Sequence, residues 1–240
     1  MAGMAGSASQ DKKTVKTKGK LVVLEGIDGS GKSTQYGMLC SRLAEEGRDF
    51  RRIVFPRYEE ESSALVRAYL RGDFGKNPSD VNAYAASAFY AVDRYASYKS
   101  GWQDYYESGG LVLADRYTTS NACHQGCKVP EPERDSFFQW LYTFEFRLLG
   151  LPEPSLVVYL DTEVETAAAA LRRRQLQEGV SGDIHEKDWD YLQKCLEVGR
   201  KAADHYGWRR VQTLEKGQRR TVEDIHREIY SLLFSGADVD

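Results

Sequence analysis

The sequence predicts an α/β protein: a parallel β-sheet with helices on both faces. Three observations carry that expectation. Short apolar runs alternate with helix-length segments along the chain. The first run leads directly into a glycine-rich loop and then a helix. The chain has 240 residues, 41% of them hydrophobic and 29% charged, with no internal repeat and no linker long enough to separate a pair of domains, so one compact unit accounts for it.

The elements follow in order. Lys20 to Glu25 (KLVVLE) reads as a buried strand, and Ser33 to Glu46 as a helix stopped by Gly47. Arg51 to Phe55 is a second strand closed by Pro56, and Ser63 to Arg71 a short helix. Asn77-Pro78-Ser79-Asp80 is expected to cap a long helix that reaches Glu107 and is broken by Gly109-Gly110. Leu111 to Ala114 is the third strand and Glu133 to Leu149 a helix. Ser155 to Leu160 is the fourth strand, with helices over Glu163 to about Gln177 and Lys187 to His205. Arg210 to Thr213 is a weaker fifth strand and Thr221 to Leu233 the last helix, which makes about nine helices in all.

The tail, residues 1–19, is small, polar and lysine-rich and is expected to be disordered, with a nucleic-acid-binding arm as the alternative. It has no apolar stretch of the secretory kind, and no run of 18 or more apolar residues occurs. A cytoplasmic protein with no membrane partner is the expectation. The formal net charge of −3 gives no overall attraction to nucleic acid or acidic lipid, so no nucleic-acid partner is expected, and positive charge for an anionic substrate must be local. Cys123, His124 and Cys127 stand close together, but no second ligand pair for zinc is evident. They read as reduced thiols beside a histidine, as do Cys40 and Cys195.

The strongest motif is Gly26-Ile27-Asp28-Gly29-Ser30-Gly31-Lys32-Ser33, which fits G-x-x-x-x-G-K-[ST] after a strand and before a helix. Glycines let the backbone N–H groups turn toward phosphate oxygens, and the helix adds free donors and its positive end. Gly26, Gly29, Ser30, Gly31, Lys32, Ser33 and Thr34 are therefore the expected ATP contacts, with Lys32 on the β- and γ-phosphates and Ser33 on Mg²⁺. The fold class becomes that of the P-loop NTPases: three layers, α/β/α, around a five-stranded parallel sheet. The motif alone leaves switches, ATPases and kinases open.

Polar clusters after the later strands narrow the choice. Strand two runs into Phe55-Pro56-Arg57-Tyr58, strand three into Asp115-Arg116-Tyr117, and the middle helix carries Asp93-Arg94. Ligands of open α/β sheets bind beyond the carboxyl ends of the strands, so Arg57 and Arg116 face the loop's crevice. Arginine suits a phosphate dianion, and such a set points to a second, phosphorylated substrate. Surface ion pairs are the alternative for any one of them. Asp115 ends the run LVLAD where a carboxylate organises Mg²⁺. The middle helix is rich in aromatic residues, most of them core or dimer contacts, and Tyr90 stands one turn before Arg94, where it can stack on a base.

Taken together, GIDGSGKST at 26–34, FPRY at 55–58, FYAVDRY at 89–95, DRYTTSNACHQGCK at 115–128 and LPEPSLVVYLD at 151–161 resemble the thymidylate kinase family, in its order and spacing, from Lys20 to about Phe234. GDIHEKDWDYL at 182–192 resembles the end of the family's lid. The resemblance implies transfer of the γ-phosphoryl of ATP to dTMP, with Mg²⁺, in a homodimer. It implies that Asp28 contacts the sugar hydroxyl, that Arg57 and Arg116 hold the acceptor phosphate, that Tyr90 stacks on thymine, and that Arg94, Ser120 and Asn121 read the base. The lid would span about 172–187 of a single domain, 20–240. Some members carry a catalytic arginine in the phosphate loop where this chain has Gly29; members without it supply arginine from the lid. The charge is then expected from Arg172 or its neighbours Arg173 and Arg174, or from Lys187. Other monophosphate kinases and deoxynucleoside kinases are the nearest rivals. A nucleoside kinase places a carboxylate base after the second strand, where this chain has Arg57. A nucleotide-driven switch is the rival from another class, and it would turn over ATP without an acceptor.

Overall fold

Leu21 and Val23 bury against one layer of helices and Val22 and Leu24 against the other, so the central strand is covered on both faces. The computed structural model describes residues 18–178 and 189–235. The tail up to residue 17 and Lys187 of the expected lid lie outside the described residues, while Gly19 already donates its N–H to the Tyr106 carbonyl at 2.8 Å.

The strands are β1 (Lys20–Glu25), β2 (Arg51–Val54), β3 (Leu111–Asp115), β4 (Leu156–Asp161) and β5 (Arg209–Gln212). They form a five-stranded sheet in the order β2-β3-β1-β4-β5, with every pairing parallel. The register sets Leu24 of β1 beside Asp115 of β3, and Glu25 beside Tyr159 of β4. The carboxyl ends of β1 and β3 therefore open into one crevice, where the strand order reverses.

The helices are α1 (Lys32–Glu45), α2 (Ala64–Arg71), α3 (Ala83–Ser97), α4 (Gln103–Glu107), α5 (Thr118–His124), α6 (Arg134–Tyr142), α7 (Val164–Glu178), α8 (Trp189–Tyr206) and α9 (Val222–Phe234). One face of the sheet packs Leu39 and Leu43 of α1 with Ile225 and Ile229 of α9. The other carries Tyr98, Trp102, Tyr106 and Tyr117 over Leu21, Val23 and Val112, and a further cluster joins α6 to α8. Among the described residues no helix is long and apolar enough to cross a membrane.

Four local outcomes differ from the sequence reading. Asn77 caps only the 3₁₀ turn Pro78–Asp80; Val81 is extended, and Asn82 is the residue whose side chain accepts the Ala85 N–H at 2.8 Å to start α3. The long middle helix is not uniform, because α3 passes through a π-helical segment, Tyr98–Trp102, before α4. That segment packs Tyr98, Trp102 and Tyr106 edge to face at 4.7 and 5.9 Å, while Tyr84 and Tyr95 stay exposed. Helix α5 was not foreseen, since Thr118, Thr119, Ser120 and Asn121 are poor helix formers and tertiary contacts hold them. The small hairpin β6 (Leu214–Glu215) and β7 (Gln218–Arg219) was also missed; it turns through Lys216 and Gly217, both at positive φ.

Helix α8 lies close on β4 because Gly199 has no side chain. A Cβ there would come 2.9 Å from Cζ of Tyr159, whose ring is fully buried. Gly199→Ala is expected to lower the unfolding free energy by roughly 1–3 kcal/mol, read from urea denaturation, and an unchanged midpoint would contradict this packing.

Candidate active site

The glycine-rich loop closes β1 as the sequence reading expects. Gly29 and Gly31 take φ of 81° and 94°, and Gly31 is the N-cap of α1. The first N–H groups of α1 have no partner within the helix and face the loop's concavity. Ser30 Oγ is buried and, among the described residues, has no hydrogen-bond partner. Gly29 also answers the question of the missing loop arginine. A Cβ at this position would sit 2.8 Å from the Ala167 carbonyl carbon, so α7 occupies the space and no side chain fits.

A cavity of about 380 Å³ lies against this loop. Asp28, Lys32 and Ser33 line it from the loop and α1, Asp115 and Arg116 from the end of β3, and Tyr90, Arg94, Ser120 and Asn121 from α3 and α5. Thr34 is exposed on the first turn of α1. Of the residues singled out in the sequence, Arg57 is near but turned away. Its Nε lies 3.0 Å from Asp93 Oδ1, and Nη2 donates to Ser62 Oγ at 2.8 Å. Arg172 and Arg173 stand on the exposed face of α7, outside the cavity lining.

The cavity's cations are all held by carboxylates. Lys32 Nζ lies 3.0 Å from Asp115 Oδ1. Arg116 adopts φ of 68°, an uncommon conformation for a residue with a side chain, and this aims its guanidinium into the cleft. There it pairs with Asp28 and lies 3.8 Å from Glu25 and 3.2 Å from His124 Nε2. Burial disfavours its charge, but Asp28, Glu25 and Asp115 outweigh that and raise its pKa further. Glu25 is itself fully buried and accepts from Gly26 N–H, Thr119 and Ser120 at 2.9, 2.7 and 2.6 Å. A buried carboxylate thus ties the phosphate loop to α5.

Sequence reasoning missed Glu145, which lies behind the cavity and holds Arg94 and Asn121. It lies in a second π-helical segment, Thr143–Leu148, and is fully buried. Arg94 donates to it twice at 2.6 Å, Thr118 Oγ1 donates at 2.7 Å and Asn121 Nδ2 at 3.2 Å. Arg94 keeps a further donor on the Tyr117 carbonyl at 3.3 Å. Gln125 was missed too; it lines the cavity, and its buried Oε1 has no hydrogen-bond partner among the described residues. Arg219, on the unforeseen hairpin, brings a guanidinium nitrogen to 3.8 Å from where a Cβ on Gly31 would be. No periodicity marks any of the three, because each reaches the site only through tertiary packing.

One wall therefore presents backbone donors, a lysine and a hydroxyl, and the other presents two arginines, an aromatic ring and amides. Such a cleft can hold two anions facing each other. Ser33 and Asp115 add a hydroxyl and a carboxylate, oxygen donors that fit a hard divalent cation such as Mg²⁺.

Comparison with known proteins agrees. A family model described as thymidylate kinase matches residues 24–229. The chain is 32% identical over 190 residues to a thymidylate kinase of Mycobacterium tuberculosis, covering 78% of this chain and 87% of that one. It is 30% identical over 227 residues to a thymidylate kinase of Arabidopsis thaliana, covering 95% and 75%. The solved thymidylate kinase of Candida albicans shares the fold, with a TM-score of 0.67 and 19% identity over 91% of this chain and 92% of that one.

Two outcomes are expected of this geometry. Glu145→Ala leaves the Arg94 charge buried and unpaired, so the unfolding free energy should fall by about 3–5 kcal/mol in a denaturant titration; a loss under about 1 kcal/mol would mean that the pair is not the anchor described. Lys128, beyond α5, donates to Tyr69 Oη at 2.7 Å and the Val81 carbonyl at 3.1 Å, and burial pushes its pKa down to about 8. The unfolded chain then binds the extra proton between about pH 8 and 10, so stability relative to Lys128→Met should rise with pH over that window, and a flat difference would contradict it.

Proposed function

The chain belongs to the thymidylate kinase family, and on that premise we propose how its own residues carry out ATP-dependent phosphorylation of dTMP. The observation that carries the proposal is the pairing of walls: the phosphate loop on one side of the cleft and Arg116, buried among carboxylates, on the other. A donor triphosphate and an acceptor monophosphate meet between them.

The N–H groups of Gly29 and of Gly31 to Thr34, with the Lys32 ammonium, bind the ATP phosphates, while the Gly26 N–H stays on Glu25. Lys32 exchanges Asp115 for phosphate oxygens on binding. Arg116 takes the dTMP phosphate, and Asp28, released from Arg116, accepts from the sugar 3′-hydroxyl. Arg57 turns from Ser62 to the same phosphate while Asp93 keeps hold of its Nε. Tyr90 stacks on thymine, and Arg94, Ser120 and Asn121 read the base from positions set by Glu145 and Glu25. Gln125 Oε1 offers the base another acceptor. Ser33 and Asp115 would hold Mg²⁺, which neutralises phosphate charge as the phosphoryl group transfers. The acceptor phosphate is already ionised, so no general base is required. The work is positioning and charge neutralisation.

Ala167 excludes a loop arginine, so the further positive charge comes from Arg172 at the front of the lid or from Lys187 within it. The chain acts as one domain, in the cytoplasm. A homodimer forms through the middle helix α3, which exposes the apolar side chains Val92 and Tyr95.

The test is ADP release from Mg·ATP with dTMP, dUMP, dCMP, dGMP and thymidine offered in turn. Turnover that requires a monophosphate and is fastest with dTMP is expected. Turnover with thymidine, or hydrolysis indifferent to the acceptor, would overturn the assignment.

A further inference from the structure

On the α8 side of α5, next to the cleft, two free thiols face each other. Cys127 sits in the 3₁₀ turn Gly126–Lys128 that follows α5, and Cys195 sits in α8. Both are buried, and their sulfurs are 3.5 Å apart. The phosphoryl transfer uses neither of them.

A chain of contacts links the pair to the cleft. His124 Nε2 lies 3.2 Å from Arg116 Nη1, and His124 Nδ1 lies 3.6 Å from Cys195 Sγ. Arginine carries only donors, so Nε2 accepts and the ring proton is on Nδ1, directed at the Cys195 sulfur. The His124 carbonyl in turn accepts from Cys127 Sγ at 3.1 Å and from Tyr191 Oη at 2.8 Å. One histidine therefore touches both thiols and the arginine that receives the acceptor phosphate.

We propose that Cys127 and Cys195 form a reversible oxidation site, closed to an intramolecular disulfide by hydrogen peroxide, and that closure weakens the hold on dTMP. The Cys127 thiolate attacks one peroxide oxygen; the O–O bond breaks, hydroxide leaves, and a sulfenic acid remains. The Cys195 sulfur then attacks the Cys127 sulfur, forming the S–S bond as the sulfenic oxygen departs with the Cys195 proton as water. Two thiols give two electrons to one peroxide, and two waters result.

The environment separates the two roles. The hydrogen bond from the Cys195 thiol holds the Cys127 thiol below its usual value against burial, helped by Tyr191 and by the charges of Lys128 and Lys194. Burial pushes the Cys195 thiol well up, so it is not the sulfur that peroxide oxidises first. Closing from 3.5 Å to a bond length of about 2.05 Å draws the 3₁₀ turn toward α8 and takes the Cys195 sulfur away from His124 Nδ1. Arg116 then loses the fixed orientation of one of its neighbours. Cys40 lies apart, in the α1–α9 layer.

The effect on turnover rests on the reading of Arg116 as the acceptor-phosphate ligand, so the chemical and kinetic readouts are kept separate. The full chain is treated with stoichiometric hydrogen peroxide, its remaining thiols are blocked with iodoacetamide, and it is digested with trypsin. The peptides are 117–128, which holds both Cys123 and Cys127, and 195–200. The expected product is these two peptides joined, with fragment spectra placing the bond on Cys127 and dithiothreitol removing it. The KM for dTMP should rise severalfold on oxidation while the KM for ATP stays within twofold. Cys127→Ser, which leaves the Cys195 sulfur beside His124 Nδ1, should keep the turnover of the reduced enzyme and lose the response to peroxide. Recovery of Cys127 and Cys195 as alkylated thiols, or of Cys127 as sulfinic acid with no linked peptide, would overturn the site. A linked peptide with an unchanged KM for dTMP would overturn the coupling through His124. Absence of dTMP turnover before any oxidation would count against the function alone.

Discussion

Four carboxylates hold the positive charges of this cleft, and the architecture depends on them. Glu25 and Glu145 are fully buried, Asp115 nearly so, and Asp28 lies at the mouth. A buried guanidinium is costly without a partner, so each carboxylate fixes both the position and the charge of the cation it meets. Glu145 fixes Arg94, Glu25 and Asp28 fix Arg116, and Asp115 fixes Lys32. On the proposed reading, an incoming phosphate displaces Asp28 and Asp115 from their cations. The buried pair, Glu25 and Glu145, remains and keeps the scaffold in register.

The sheet explains why these groups meet. Parallel pairing of β1 with β3 sets Leu24 beside Asp115, so the phosphate loop and Arg116 leave the same edge of the sheet. Helix α5 then carries four polar residues along one short stretch. Thr119 and Ser120 reach Glu25, and Thr118 and Asn121 reach Glu145. This helix has little intrinsic helical tendency, and its hydrogen bonds to the two glutamates hold it in place.

Much of the site was legible in the sequence because its signals are local. The phosphate loop needs glycines at fixed spacing, and β1 needs an unbroken apolar run, so both can be read from adjacent residues. All five sheet strands fall within a residue or so of their expected positions. What could not be read is what depends on distant partners. Glu145 follows a phenylalanine in an aromatic stretch and looks like a solvated face; only the π-helical turn directs it inward to Arg94. The start of α3 was misplaced because Asn77-Pro78 and Asn82 are both competent caps, and the extended Val81 between them decides which is used. Cys195 stands 68 positions beyond Cys127, and nothing in the spacing of the four cysteines brings them together.

The central claim is that the wall opposite the phosphate loop is built for a phosphate dianion next to a nucleobase. Calorimetric titration of the protein with dTMP and with thymidine, without ATP, tests it most directly. The account expects saturable dTMP binding and thymidine binding at least about 100-fold weaker, a difference of about 2.7 kcal/mol, in keeping with charge-assisted contacts to Arg116. Equal affinity for the two would contradict it, because the carboxylate-held arginines would then serve the fold and not the substrate.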